Sequence, residues 1–235
     1  MEFIIIKTIE EIMIQLKDFF ELYPDLYVES ENIDEVRISG SFLLNREFNG
    51  HRVYKKYNIT IVIPINSSKL PYVIDSNSYI DEKYRHYYSN GVLCLETDTK
   101  LLLDYEKKFD IIHWMENYVE CYFFTYEYYK RYGEFPYGER SHGVMGIIET
   151  YQDILNAKDV VEAFHILQYI HSRDYRGHMG CPCQSGKRIR DCHGKQMMRF
   201  YTNDYLRSLF LKDYSTIINA LKEAERNERN TKKTK

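Results

Sequence analysis

Residues 35–65 read EVRISGSFLLNREFNGHRVYKKYNITIVIPI. Two runs in this stretch, 35–44 and 52–65, are rich in Val, Ile, Tyr and Thr, the residues that suit a pleated, half-buried surface. In the second run Tyr57, Ile59, Ile61 and Ile63 alternate with Asn58, Thr60 and Val62, the period of a strand with one covered face. NREFNG (45–50) supplies the turn between them. LPYVID (70–75) is a third short strand, and Pro71 places it near an edge.

Upstream, residues 9–23 (IEEIMIQLKDFFELY) set Ile9, Ile12, Leu16, Phe19 and Phe20 on one helical face, and Pro24 stops the helix. Downstream, 76–96 is mostly loop. Residues 107–132 form a long helix with Ile111, Trp114, Tyr118, Cys121 and Tyr122 at core spacing. GEFPYGERSHG (133–143) breaks the pattern, and two shorter helices fit 144–157 and 159–172. Helical periodicity returns at 203–224, before a charged tail, RNERNTKKTK. The class is α+β: a helix, an antiparallel meander, then helices.

The bulk properties narrow the function classes. The 235 residues suggest one or two domains. A formal net charge of −3 excludes a generally basic nucleic-acid-binding chain. The 23 tyrosines fit cores with wet edges and interfaces. No stretch of about 20 apolar residues exists, so no membrane span is expected. The apolar run in MEFIIIKTIEEIMIQL follows Glu2 and is interrupted by Lys7, Glu10 and Glu11, unlike a signal peptide, so a cytoplasmic protein is expected.

Five cysteines without a secretion signal argue against a disulfide framework. Three crowd into SRDYRGHMGCPCQSGKRIRDCHGKQ (172–196), a segment with almost no apolar periodicity that needs a staple. Cys181, Cys183, Cys192 and His193 offer three thiolates and an imidazole, enough to complete a tetrahedral zinc site. Four protein ligands leave no open position, so the zinc is structural. Pro182 stiffens the first turn, while Gly186 and Gly194 permit sharp reversals. Lys187, Arg188 and Arg190 give a basic face that suits an acidic protein or RNA phosphate, or is simply solvated.

SNGVLC (89–94) poses the other chemical question. Cys94 follows an Asn90-Gly91 turn. It reads either as a buried thiol ending the short apolar run VLCL or as a nucleophile. Glu96 and Asp98 follow, so the local field does not depress its pKa. His86 lies eight residues earlier and reads either as a loop histidine or as a catalytic group. Arg140, Ser141 and His142 sit among glycines in 133–143, which reads as a binding loop or as a plain connection. Cys121 and Trp114 read as packing.

Two resemblances follow. CPCQSGKRIRDCHG resembles the SEC-C zinc motif found at the C-terminus of the SecA translocation ATPase. That likeness implies a zinc-folded docking module with Cys181, Cys183, Cys192 and His193 as ligands. The order helix, meander, proline-bearing strand, loop, NGVLCL, helices resembles the ubiquitin-conjugating enzyme fold over residues 1 to about 132. In that family the nucleophile follows asparagine-glycine and two further residues, as in Asn90-Gly91-Val92-Leu93-Cys94-Leu95. The family's His-Pro-Asn triplet is replaced by Tyr84-Arg85-His86, with His86 where the oxyanion-shaping asparagine would stand. That departure and the zinc motif resemble the divergent bacterial branch found in anti-phage CBASS islands and ubiquitin-like conjugation operons.

The resemblance implies a thioester relay on Cys94, with His86 and Asn90 in the site and His142 and Arg140 as further candidates. It implies as partners an activating, adenylating enzyme and the C-terminus of a ubiquitin-like protein or of a cyclic-nucleotide synthase. The implied organisation is a ubiquitin-conjugating-like domain (1–143), a helical extension (144–175), a zinc knuckle (176–198) and a C-terminal helix with a charged tail (199–235). The rival functions are an inactive scaffold of the same fold, a Cys-His hydrolase and a zinc-folded RNA or ribosome adaptor.

Overall fold

A computed structural model describes residues 8–233 except Ser68, Ser89, Glu106, Lys107 and His142. These residues divide into two compact units, one running to Glu139 and the other beginning at Arg140.

The first unit opens with α1 (Ile9–Leu22). Thr8 caps it, its hydroxyl accepting from the Glu11 amide while the Glu11 carboxylate accepts from the Thr8 amide. This reciprocal pairing satisfies two of the donors that a helix start leaves open. Ile12, Leu16 and Phe19 are buried, whereas Ile9 stands at the exposed margin.

A four-stranded antiparallel sheet follows in the order β1 (Leu26–Glu31), β2 (Glu35–Phe48), β3 (His51–Pro64) and β4 (Tyr72–Asp75). The hairpin arms are longer than the sequence suggests. Phe48 pairs with His51, so the turn is two residues, Asn49 and Gly50, both at positive φ. That is the geometry whose twist matches the flanking strands, and Asn-Gly is the dipeptide that adopts it most readily. β1 is unforeseen because LYVESE carries only one buried residue, Leu26, and so lacks an apolar rhythm. On β3, Tyr57, Ile59, Ile61 and Ile63 are all buried as the alternation predicts, and Thr60 and Val62 are also covered.

After β4 an extended loop leads to α2 (Asp98–Asp104), which the sequence reading leaves unassigned. The long helix begins at Ile111 with Asp110 as cap. It runs through α3 (Ile111–Trp114), a π-helical turn (Met115–Val119) and α4 (Glu120–Tyr132). The wide turn frees the Glu116 carbonyl, which accepts from Arg46 Nη1 at 2.5 Å and faces the Cys121 thiol at 3.7 Å. It also shifts the buried face by one residue. Val119 is buried, while Tyr118 and Cys121 are only half-buried. Trp114 and Phe123 are core residues.

Tyrosines of α4 fasten the loop that follows β4. Tyr122 donates its hydroxyl to the His86 carbonyl at 2.9 Å. The Tyr126 hydroxyl accepts from the Asp81 amide and donates to the Tyr79 carbonyl. The buried Tyr84 ring packs against Tyr122, Tyr126, Tyr129 and Phe135. A tyrosine can bury its ring and still meet a backbone group with its tip, which is what an irregular segment over a core requires.

The second unit contains α5 (Val144–Leu155), α6 (Val160–Ser172), the cysteine-bearing loop, α7 (Gly194–Thr202) and α8 (Asp204–Lys233). The segments read from sequence as extension, knuckle and C-terminal helix all lie in it. Tyr151, Ile166, Leu167, Ile170, Met197, Phe200 and Phe210 are fully buried here. Residues 226–233 continue α8 rather than forming a separate tail, in keeping with a composition that includes good helix formers. Among the described residues no helix is long and apolar enough to cross a membrane.

Candidate functional site

Cys94 stands on a small irregular hairpin. Tyr87 and Leu93 form an antiparallel bridge, Tyr88 N donates to Val92 O, and Cys94 N donates to His86 O at 2.8 Å. The turn is built by Asn90, whose Oδ1 accepts from Val92 N, and by Gly91 at φ +81°. Asn90 thus shapes the backbone here. With Tyr87 opposite Leu93, His86 falls opposite Cys94. Side chains on opposed residues share a face, with Cβ atoms about 5 Å apart. Tyr88, two residues from His86, emerges on that same face.

The Tyr88 hydroxyl donates to Cys94 Sγ at 3.4 Å, and among the described residues it is the sulfur's hydrogen-bond partner. Tyr88 is held protonated, its pKa pushed up to about 12 by that bond first and burial second. The half-buried Cys94 thiol is raised above its ordinary range. Burial is the main cause, the Glu96 and Asp98 carboxylates add to it, and the Tyr88 hydrogen bond opposes it.

His86 turns its Nε2 toward Glu139 Oε1 at 3.4 Å, and Glu139 also faces Arg85 Nη1 at 3.7 Å. The imidazole meets the Tyr84 and Phe135 rings edge-on. Tyr88 and Glu139 are absent from the sequence reading. Strand alternation from His86 is the signal that finds Tyr88, while Glu139 lies too far along the chain for any local signal. Arg140 belongs to the second unit, where its Nη2 meets Asp153 Oδ2 at 2.8 Å. His142 lies outside the described residues.

The second site is the cysteine-histidine cluster. An antiparallel bridge between Gly180 and Arg188 closes the first turn, with Cys181 N donating to Lys187 O at 2.8 Å. Gly186 adopts φ +76° there. Gly194 serves differently: a Cβ on it would fall 2.7 Å from both Ile189 O and the Tyr175 hydroxyl. The donor atoms of Cys181, Cys183, Cys192 and His193 all lie within 4.8 Å of one another.

His193 Nδ1 is 3.3 Å from both Cys181 Sγ and Cys192 Sγ, and Cys183 Sγ is 3.5 Å from Cys192 Sγ. A tetrahedral zinc ion with Zn–S near 2.3 Å and Zn–N near 2.0 Å separates its ligands by about 3.5–3.8 Å. The donor set and spacing therefore fit such an ion. Burial raises both Cys181 and Cys183; Cys181 is pushed up to about 12. At Cys183 hydrogen bonds from Ser185 and neighbouring thiols override burial and bring it to about 6. A bound cation would take all three sulfurs as thiolates, releasing the protons they hold without it, and these four residues could bind one.

The chain is thus an α+β protein with a tyrosine-bonded loop cysteine in one unit and, in the other, a cysteine-histidine cluster that could bind a metal ion. No family model, no curated protein and no solved structure matches it.

Proposed function

We propose that the first unit is a ubiquitin-conjugating-like acyltransferase and that Cys94 carries the acyl group as a thioester. The supporting observation is the hairpin that sets Cys94 opposite His86 with the Tyr88 hydroxyl on its sulfur. The order of α1, four antiparallel strands, loop, cysteine, α2 and the long helix agrees with that fold. Cys94 attacks the activated C-terminus of a donor protein; the C–S bond forms, the carbonyl's bond to the activating group breaks, and the thiol's proton leaves with that group. A substrate amine then attacks the thioester carbonyl, the C–N bond forms, and the thiolate departs from carbon. His86, oriented by Glu139, takes the amine's proton. A thiol raised rather than depressed in pKa suits such a relay, because the activated donor supplies the driving force and a strongly activated nucleophile is unnecessary.

The pairing of His86 with Glu139 beside a cysteine also favours a second reading, a Cys-His hydrolase. The raised thiol argues against it, since hydrolytic cysteines are held as thiolates by a cation. The four-ligand cluster is proposed to hold structural zinc. The cytoplasm, an anti-phage or ubiquitin-like conjugation operon, and an adenylating partner complete the reading.

The test is an acyl adduct. The chain recovered from its native host without reducing agent should carry a group on Cys94 that dithiothreitol or hydroxylamine removes. Cys94→Ser should hold the same group as a thiol-resistant ester. Full conjugation by Cys94→Ala would leave only a scaffold role. Turnover of a peptide substrate by the purified chain alone would establish the hydrolase instead.

A further inference from the structure

The imidazole of His193 has two sides, and both are occupied. Nδ1 faces the thiols. Nε2 lies 3.3 Å from the Asn156 carbonyl oxygen and 3.4 Å from Glu162 Oε1. Asn156 and Glu162 come from the junction of α5 and α6, 37 and 31 residues before His193 in the chain.

Local structure fixes both groups. Asn156 ends α5 in the left-handed region, φ 56° and ψ 41°, with its amide bonded back to Asp153 O and the Ala157 amide to Gln152 O. Asparagine tolerates that conformation well, and it aims the carbonyl away from the helix axis. Asp159 caps α6, accepting from the Glu162 amide at 2.8 Å. Glu162 therefore sits in the first turn, where the helix dipole favours a carboxylate. It is buried, 8% exposed, and Lys158 Nζ approaches its other oxygen at 3.7 Å. A buried carboxylate needs a specific partner, and His193 is the one facing Oε1.

We infer that Glu162 and the Asn156 carbonyl act as outer-shell positioning groups for the metal, making the α5–α6 junction part of the metal site. Two acceptors at Nε2 keep the proton there and leave the Nδ1 lone pair for the ion. Metal loading then closes the junction as well as the cysteine loop. The cluster is a joint of the helical unit rather than an autonomous docking knuckle. This rests on the structural-zinc reading, and the experiment separates the two.

The full chain is purified, its zinc content measured, and transfer of zinc to a chromogenic chelator followed. Wild type is expected to hold one zinc. Glu162→Ala should lower the affinity by about 10- to 100-fold, and Glu162→Gln, which keeps an acceptor oxygen, by less. Cobalt-loaded wild type and Glu162→Ala should differ in their ligand-field bands, a shift that a mere packing defect would not cause. In wild type, chelation should also expose amides 156–166 to hydrogen exchange along with 180–193. A wild-type chain without metal overturns the zinc reading and this inference with it. A loaded wild type with unchanged affinity in Glu162→Ala overturns this inference alone. Where Glu162→Ala does not fold, undisturbed protection at 156–166 after chelation of wild type does the same.

Discussion

Cys94 is a thiol pulled in opposite directions by named neighbours. Burial and the carboxylates of Glu96 and Asp98 favour the protonated form, while the Tyr88 hydroxyl favours the thiolate. Alkylation consumes only thiolate, so its rate should climb with pH about a midpoint above that of a free cysteine. Tyr88→Phe removes the stabilising donor and should move that midpoint higher, slowing labelling severalfold at neutral pH. Glu96→Gln removes a repelling charge and should move it lower, with faster labelling. Because burial also slows reagent access equally at every pH, the midpoint is the quantity to compare. A midpoint unmoved in Tyr88→Phe would mean that the 3.4 Å contact does not act on the sulfur. The same pair bears on chemistry: if Cys94 carries an acyl group, Tyr88 stands beside the thioester sulfur that must leave as thiolate.

Among the elements, β2 carries a sharp steric constraint. Gly40 lies opposite Leu26 at φ +133°, and a Cβ there would fall 2.2 Å from the Asp25 carbonyl oxygen. The atom in the way is backbone, so it cannot rotate aside, and an L-residue is strained at that φ regardless. Gly40→Ala should destabilise the first unit by about 2–4 kcal/mol, read as a lower midpoint in denaturant. Unchanged stability would show that β1 shifts freely against β2. A glycine inside EVRISGSFLL signals such an approach, although sequence does not say which backbone comes near. The same contrast runs through the fold. Alternation in β3 is a local fact and so was legible, as was a turn within NREFNG (45–50), which the pairing of Phe48 with His51 narrows to Asn49-Gly50. β1 was not, because five of its six residues are at least partly exposed. The π-turn was not either, because Arg46 stabilises it from another element. At the sites, clustered cysteines announce themselves by spacing. Glu162 and Glu139 act across long chain separations and carry no local mark.

At the scale of the molecule, two cores are stabilised by different means. The first unit buries a large aromatic and aliphatic core between α1, the sheet and the long helix. The second has a smaller set of buried side chains and encloses a polar cluster of three cysteines and a histidine. Structural zinc contributes its binding free energy to folding directly. If the cluster holds zinc, its removal should therefore cost the second unit far more than the first. The chain holds one tryptophan, Trp114, 1% exposed within the first core, so its emission reports that unit. Ellipticity at 222 nm draws heavily on α5–α8 as well. In metal-loaded protein the two signals are to be followed through heating, then followed again after chelation. Chelation should bring forward a helical loss that the tryptophan does not see, while the Trp114 transition keeps its midpoint. If both signals move together by the same interval, the metal stabilises the chain as one cooperative body, and separate treatment of the two cores fails energetically. If neither moves, the thiols and the imidazole hold the second unit without an ion, and hydrogen bonds such as that of His193 to Asn156 suffice.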